Sequence, residues 1–143
     1  MSKKIVYTPG VFDLFHIGHL NILRRAKLAG DYLIVGVCCD ELVEQTKVKK
    51  PVVDENQRAE ILRELKCVDE VYIYCNLDQT EVLQMMNVDV FVVGEEFGGK
   101  YATGETIEEH RIALDYCQEN KIKVVRIKRM PGISTTHVKN KIK

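Results

Sequence analysis

"KIVYTPGVFDLFHIGHLNILRRAKLAG", Lys4 to Gly30, contains two kinds of periodicity and a polar junction between them. Ile5, Val6 and Tyr7 form a short β-branched and aromatic run that Pro9 and Gly10 bring to an end, which reads as a strand. From His19 onward, Leu20, Ile22, Leu23, Ala26 and Leu28 recur at helical spacing with arginine and lysine between them, until Gly30 stops the pattern. The junction is apolar except for Asp13, His16 and His19. Two imidazoles separated by Ile17 and Gly18 have no obvious use in a core. They fall about one turn apart at the start of the helix, where both rings can face the same side.

The strand-then-helix pattern repeats along the chain. "DYLIVGVCC" is an apolar run suited to a strand covered on both faces. "DENQRAEILREL" opens with Asp54 as N-cap and has Gln57 three residues later, the spacing of a capping box. "DEVYIYC" is a third strand and "TEVLQMMN" a helix. "VDVFVVG" is a fourth strand and "TIEEHRIALDYCQEN" a helix. "KVVRIKR" is a fifth strand, and "STTHVKNKIK" a last helix capped by Ser134. Crossovers of this length enforce parallel pairing, and their right-handedness puts helices on both faces. The expected fold is α/β, a doubly wound five-stranded parallel sheet in order 3-2-1-4-5, Rossmann-like, with residues 1–143 as one domain. Ligands in such folds bind at the carboxyl ends of strands 1 and 4, where the order reverses. "EQTKVKKPVV" and "EEFGGKYATGE" are the loosest segments near that edge.

Composition narrows the function classes. The 143 residues suffice for one core, and lysine plus arginine equal aspartate plus glutamate at 21 each. That balance argues against a nucleic-acid coat or a polybasic membrane anchor. No apolar run approaches the roughly 20 residues of a membrane span, and the N-terminus lacks a signal-peptide pattern, so a cytoplasmic location is expected. The five cysteines, Cys38, Cys39, Cys67, Cys75 and Cys117, are odd in number and form no C-x-x-C, which reads as buried reduced thiols with neither a disulfide frame nor a zinc knuckle.

The fold places Thr8 to His19 at the switch point. Gly10 permits a sharp turn, and Gly18 lets a ligand approach the backbone. Two imidazole donors, the free amides of a helix start and its dipole together suit a polyphosphate. Core histidines bonded to backbone, or zinc ligands, are the alternatives; zinc needs three or four ligands, and neither H-E-x-x-H nor a cysteine pair supplies the rest. A second anion-seeking loop is "RMPGISTT", Arg129 to Thr136, after the fifth strand. Gly132 allows a turn, Ser134, Thr135 and Thr136 bring hydroxyls to a helix start, and Arg129 adds a planar cation for phosphate oxygens.

"GVFDLFHIGH" resembles the G-T-F-D-x-x-H-x-G-H signature of the nucleotidylyltransferase superfamily. Gly10, Phe12, Asp13, His16, Gly18 and His19 match, and Val11 replaces a threonine. "RMPGISTT" is similar to the R-T-E-G-I-S-T-T signature of CTP-dependent cytidylyltransferases, with Met130 and Pro131 departing from it. Heptose-phosphate adenylyltransferases carry a related G-V-S-T-T, so Arg129 is what tilts the reading toward CTP. Segments along nearly the whole chain resemble bacterial glycerol-3-phosphate cytidylyltransferase.

That resemblance implies a set of roles. His16 and His19 would hold α- and β/γ-phosphate oxygens. Val11, Phe12, Lys49, Arg129, Gly132, Ile133, Ser134, Thr135 and Thr136 would bind the nucleotide. Lys47 would hold the phosphorylated acceptor and, with Lys49, screen the repulsion between substrates. His16, His19, Lys47 and Arg129 would be catalytic. Mg2+ would ride mainly on the CTP phosphates, with Asp13 reaching it or merely orienting the site. The implied partners are CTP and a small phosphorylated alcohol or phosphonate, with no nucleic acid, no membrane and a homodimer. The acceptor is not legible: "NLDQTE" lacks the tryptophan and lysine that glycerol-3-phosphate enzymes carry after strand three, and Phe97 stands where they have tryptophan after strand four. Phe97 and Tyr101 are candidates to line its pocket, with a purely structural role as the alternative. An adenylyltransferase acting on a sugar phosphate, flavin or similar acceptor, and a non-enzymatic nucleotide-binding module, stay open beside the cytidylyltransferase.

Overall fold

The computed structural model describes residues 3–47, 50–95, 97–98 and 104–128, with backbone alone for Lys47 and residues 104–107. Within them the elements run β1 (Ile5–Gly10), α1 (Ile17–Lys27), β2 (Tyr32–Cys38), α2 (Asp40–Lys47), α3 (Glu55–Arg63), β3 (Glu70–Tyr74), α4 (Thr80–Met85), β4 (Val90–Gly94), α5 (Gly104–Glu119) and β5 (Lys123–Ile127). The five strands form one sheet in the order β3-β2-β1-β4-β5, and all four pairings are parallel. This is the expected α/β sheet.

Both faces of the sheet are covered, as alternation along each strand requires. Val6, Leu33, Val35, Val37, Val90 and Val92 pack with Leu23 and Ala26 of α1 and with Ala59 and Leu62 of α3. The residues between them, Tyr7, Ile34, Phe91 and Val93, pack with Val82 and Leu83 of α4 and with Ala113 and Cys117 of α5. Tyr7 is fully buried, so its hydroxyl needs a partner. It donates to Gln79 Oε1 at 2.6 Å, and burial pushes the phenol far above its ordinary range.

Three aspartates fix the strand register at the amino edge, away from the predicted ligand edge. Asp31 and Asp89 accept the N–H groups of Lys4 and Ile5 at the start of β1, and Asp69 accepts that of Leu33 in β2, each at 2.8 Å. Each aspartate also donates its own N–H back to the same stretch: Asp31 to Lys4 O, Asp89 to Ile5 O and Asp69 to Leu33 O. A one-residue slip would break both bonds of a clamp and turn the buried face outward.

Two expectations need correction. The stretch after β2 is helical, since α2 takes in Glu44, Gln45, Thr46 and Lys47 of the segment read as loose. Leu42 and Val43 bury beneath it with Cys38, Cys39 and Tyr74, a small apolar cluster that local pattern alone understated. The second correction concerns the thiols. Cys39 and Cys75 form a disulfide, with Cα atoms 5.3 Å apart, while Cys38, Cys67 and Cys117 stay thiols. Cys38 pairs with Tyr74 in the parallel register of β2 and β3, so the residues that follow them lie side by side. Sequence spacing carries no trace of that adjacency. Burial pushes the Cys117 thiol up to about 11, which keeps it protonated and inert.

Candidate active site

The site is built on the loop between β1 and α1. Gly10 ends β1, and its role differs from the expected turn. A side chain there would lie 2.7 Å from the Phe12 ring, so the glycine clears space for that ring. The positive φ angles fall on Phe12 (56°) and Leu14 (49°), conformations that cost free energy for bulky residues and persist where surroundings enforce them. The Phe12 ring is buried and meets the His19 ring edge-on at 5.6 Å, so backbone is what Phe12 has to offer a nucleotide.

His16 is the N-cap of α1. Its extended backbone (φ −141°, ψ 179°) lets Nδ1 accept the Gly18 N–H at 3.0 Å, and His19 Nδ1 accepts the His16 N–H at 3.3 Å. The two histidines thus form the capping box of this helix, and their rings stack with centroids 3.9 Å apart. Two consequences follow. The Gly18 amide, one of the N–H groups of this helix start, is engaged by His16. And an Nδ1 that accepts from an N–H carries no proton itself, so in the neutral ring the proton sits on Nε2, a donor suited to a phosphate oxygen.

The charge pattern agrees with an anion at this tip. The first turn of α1 has no acidic residue, whereas α2 has Asp40 and Glu41, α3 has Glu55 and α4 has Glu81. Carboxylates ordinarily complement the positive end of a helix dipole. At α1 that complement is left to whatever binds there. Arg24, Arg25 and Lys27 occupy its last turn, where cations suit the negative end.

Behind the tip stands a frame that sequence reading missed. Arg58, on the inner face of α3, is 1% exposed. Its guanidinium donates to Val53 O (2.8 Å), Val11 O (2.7 Å) and Cys38 O (2.8 Å), and forms a 2.6 Å ion pair with Asp40. One side chain thereby ties the ends of β1 and β2 to the starts of α2 and α3. The available signal was an arginine one turn before Leu62, on the face that should be apolar. Asp13 completes the frame: its two carboxylate oxygens accept the N–H groups of Val52 and Val53 at 2.8 and 2.9 Å. This engagement favours the orienting role for Asp13 over the metal-binding one, and among the described residues no three His, Cys, Asp or Glu side chains converge as a metal site.

The structure therefore brings His16, His19, Phe12 and Asp13 together at the carboxyl end of β1, with Val11 held by Arg58. Lys47 is the last residue of α2, on the β2 side of this tip. Lys49, Tyr101 and the whole second loop, Arg129, Gly132, Ile133, Ser134, Thr135 and Thr136, lie outside the described residues.

The family model described as cytidylyltransferase-like matches residues 7–141, from the first strand through the second loop. The chain belongs to the cytidylyltransferase-like family. This cytidylyltransferase-like chain is 39% identical to the glycerol-3-phosphate cytidylyltransferase of Bacillus spizizenii over 140 residues, covering 97% of this chain and 95% of that one. It is 35% identical over 111 residues to the bifunctional protein HldE of Citrifermentans bemidjiense, covering 77% of this chain but spanning only 23% of that relative's length. Among solved structures, the lipopolysaccharide core biosynthesis protein from Thermoplasma volcanium superposes with a TM-score of 0.67 at 26% identity, covering 90% of this chain and 98% of that one. No helix among the described residues is long and apolar enough to cross a membrane.

Proposed function

We propose that this enzyme transfers CMP from CTP to a small phosphorylated alcohol, releasing pyrophosphate and forming a CDP-alcohol. One observation carries the reading: two stacked imidazoles, both with Nδ1 engaged by a backbone N–H and so with Nε2 left to carry the proton of the neutral ring, sit on an acid-free helix start at the switch point of the sheet. Similarity over nearly the whole length to glycerol-3-phosphate cytidylyltransferase supports the choice of CTP.

The nucleophile is a phosphate oxygen of the acceptor, ionised at neutral pH, so no general base is needed. It forms a bond to the α-phosphorus of CTP as the bond from that phosphorus to the bridging oxygen breaks, and pyrophosphate departs in line. Catalysis then consists of positioning two anions and stabilising the charge that develops between them. His16 and His19 donate Nε2–H to the phosphates. Lys47 draws in the acceptor's phosphate, Lys49 screens the approach, and Arg129, Ser134 and Thr135 grip the triphosphate. A divalent cation arriving with the nucleotide would supply further charge neutralisation. The donor set fits a cation that arrives with the nucleotide, because Asp13 already accepts two amides and no acidic cluster converges among the described residues. Two protomers form the working unit in this reading.

The experiment is pyrophosphate release with CTP and with ATP, each against a panel of phosphorylated acceptors that includes glycerol 3-phosphate. Turnover with CTP and a phosphoalcohol supports the proposal. The other reading left open by the sequence, adenylyl transfer to a sugar phosphate, flavin or similar acceptor, would be established by turnover with ATP alone. Silence with every pair would leave a nucleotide-binding module.

A further inference from the structure

The loop leaving the carboxyl end of β4 is held from three sides. Phe97 N–H bonds back to Gly94 O at 3.2 Å. Arg126 of β5 donates to Phe97 O at 2.6 Å and to Glu95 O at 3.5 Å. His110 of α5 stacks on the Phe97 ring, with centroids 3.7 Å apart and planes 14° from parallel, and its Nδ1 accepts the Gly98 N–H at 2.8 Å. Phe97 also meets Phe91 of β4 edge-on at 5.4 Å. Gly98 has φ +68°, and a side chain there would lie 2.8 Å from Leu114, so this close seat accepts glycine alone. None of these contacts belongs to the histidine tip, yet the loop leaves the strand beside it, at the switch point.

We propose that His110 is a positioning residue whose neutral imidazole clasps the loop after β4 and so sets the nucleoside side of the cleft. The assignment of sides rests on the functional reading above. With the phosphates on His16 and His19 at the end of β1, and Lys47 bringing the acceptor from the β2 side, the nucleoside is left the β4 side, so Phe97 belongs to the nucleoside side rather than to the acceptor pocket expected from the sequence. The clasp works only in one protonation state. Nδ1 accepts a hydrogen bond, so a second proton on the ring removes the acceptor and frees Gly98. Burial, and then the Arg126 guanidinium, hold the His110 pKa below its ordinary 6.5, so the clasp is closed at neutral pH. Among the described residues, Glu108, Glu109 and Arg111 are the charged neighbours on its own helix, and Glu95 lies in the clasped loop. Arg111 is paired to Glu108 at 3.4 Å. Of all these, Arg126 is the one that acts on the ring's charge.

The chain has no tryptophan, so Phe97→Trp supplies a single fluorescent reporter at the clasp. Its emission should shift to the red, and its quenching by acrylamide should rise, as pH falls through the range below 6.5. In the same background His110→Ala should give the exposed signal at every pH. His110→Asn, which accepts a hydrogen bond without titrating, should give a signal flat with pH. In the Phe97 chain, His110→Ala should raise KM for CTP about tenfold while KM for glycerol 3-phosphate and kcat stay within about twofold, and His110→Asn should restore it in part. A reporter signal indifferent both to pH and to His110→Ala overturns the proposal, as does a rise in KM confined to glycerol 3-phosphate. If the parent chain turns over no CTP with glycerol 3-phosphate, the functional reading fails at that acceptor, and the tryptophan signal still decides the clasp.

Discussion

His16 and His19 fix one another: their rings stack at 3.9 Å, His16 donates its N–H to His19 Nδ1 at 3.3 Å, and His16 Nδ1 takes the amide of Gly18 at 3.0 Å. In the proposed mechanism, capping and chemistry use opposite nitrogens of the same rings. His16→Asn should keep the cap, because asparagine is among the best N-cap residues, while losing the Nε2–H donor. Losing one preorganised donor removes roughly 2.7–4 kcal/mol of transition-state stabilisation. Turnover should fall on the order of a hundredfold or more with the melting temperature nearly unchanged, and His19→Ala should lose as much activity. Wild-type turnover in either variant would remove both histidines from the mechanism.

Arg58 reaches three carbonyls and a carboxylate from a buried position. Arg58→Met leaves those carbonyls without their donor and the partly exposed Asp40 without its cation, and each buried acceptor left unsatisfied costs about 1–3 kcal/mol. Thermal unfolding should drop by roughly 10 °C or more. Asp40→Asn added to Arg58→Met should cost little more than Arg58→Met alone, since the pair is already broken. Additive losses in that cycle would mean the two side chains act independently.

The Cys39–Cys75 bond closes a sequence separation of 36 residues between the ends of β2 and β3. A crosslink over a loop of this size stabilises by about 2–4 kcal/mol, chiefly through the unfolded chain. Urea unfolding with and without dithiothreitol should show a difference of that size. The Cys39→Ser, Cys75→Ser double variant should unfold like the reduced chain and ignore the reductant. A midpoint that reductant does not move would show that the bond is absent in solution.

Asp69 joins Leu33 N–H to the Lys27 ammonium. Burial alone would raise its pKa, but those two partners outweigh it and hold the carboxyl below its ordinary 3.8. A depressed folded value means the clamp contributes fully above the unfolded pKa and is lost as pH falls through the folded one. Stability should therefore decline below about pH 4, and Asp69→Asn should flatten part of that decline while lowering stability at neutral pH. Denaturant unfolding from pH 7 down to pH 2.5 would check it; an unchanged acid limb in the variant would place the sensitivity elsewhere.

The sequence by itself determined the strand–helix alternation, the sheet order and the position of the paired histidines. Those follow from local periodicity: Ile5 to Tyr7 and Tyr32 to Cys38 are apolar runs too short for helices, and Leu20 to Leu28 repeat with a helical period. Asp54 was legible as an N-cap for the same reason, since a cap acts within one turn. Tertiary structure decided what depends on neighbours distant in sequence. Helix α2 is held by Tyr74 and Cys38 rather than by a strong pattern of its own. Cys39 meets Cys75 because two parallel strands share a register. Arg58 is a surface-type residue by composition, and it becomes the anchor of the site because three strand and helix ends present carbonyls to one point. Spacing along a chain encodes which residues share a face of one element; it does not encode which ends of different elements converge, and that convergence is what fixes Val11 and the loop that leads to the histidine pair.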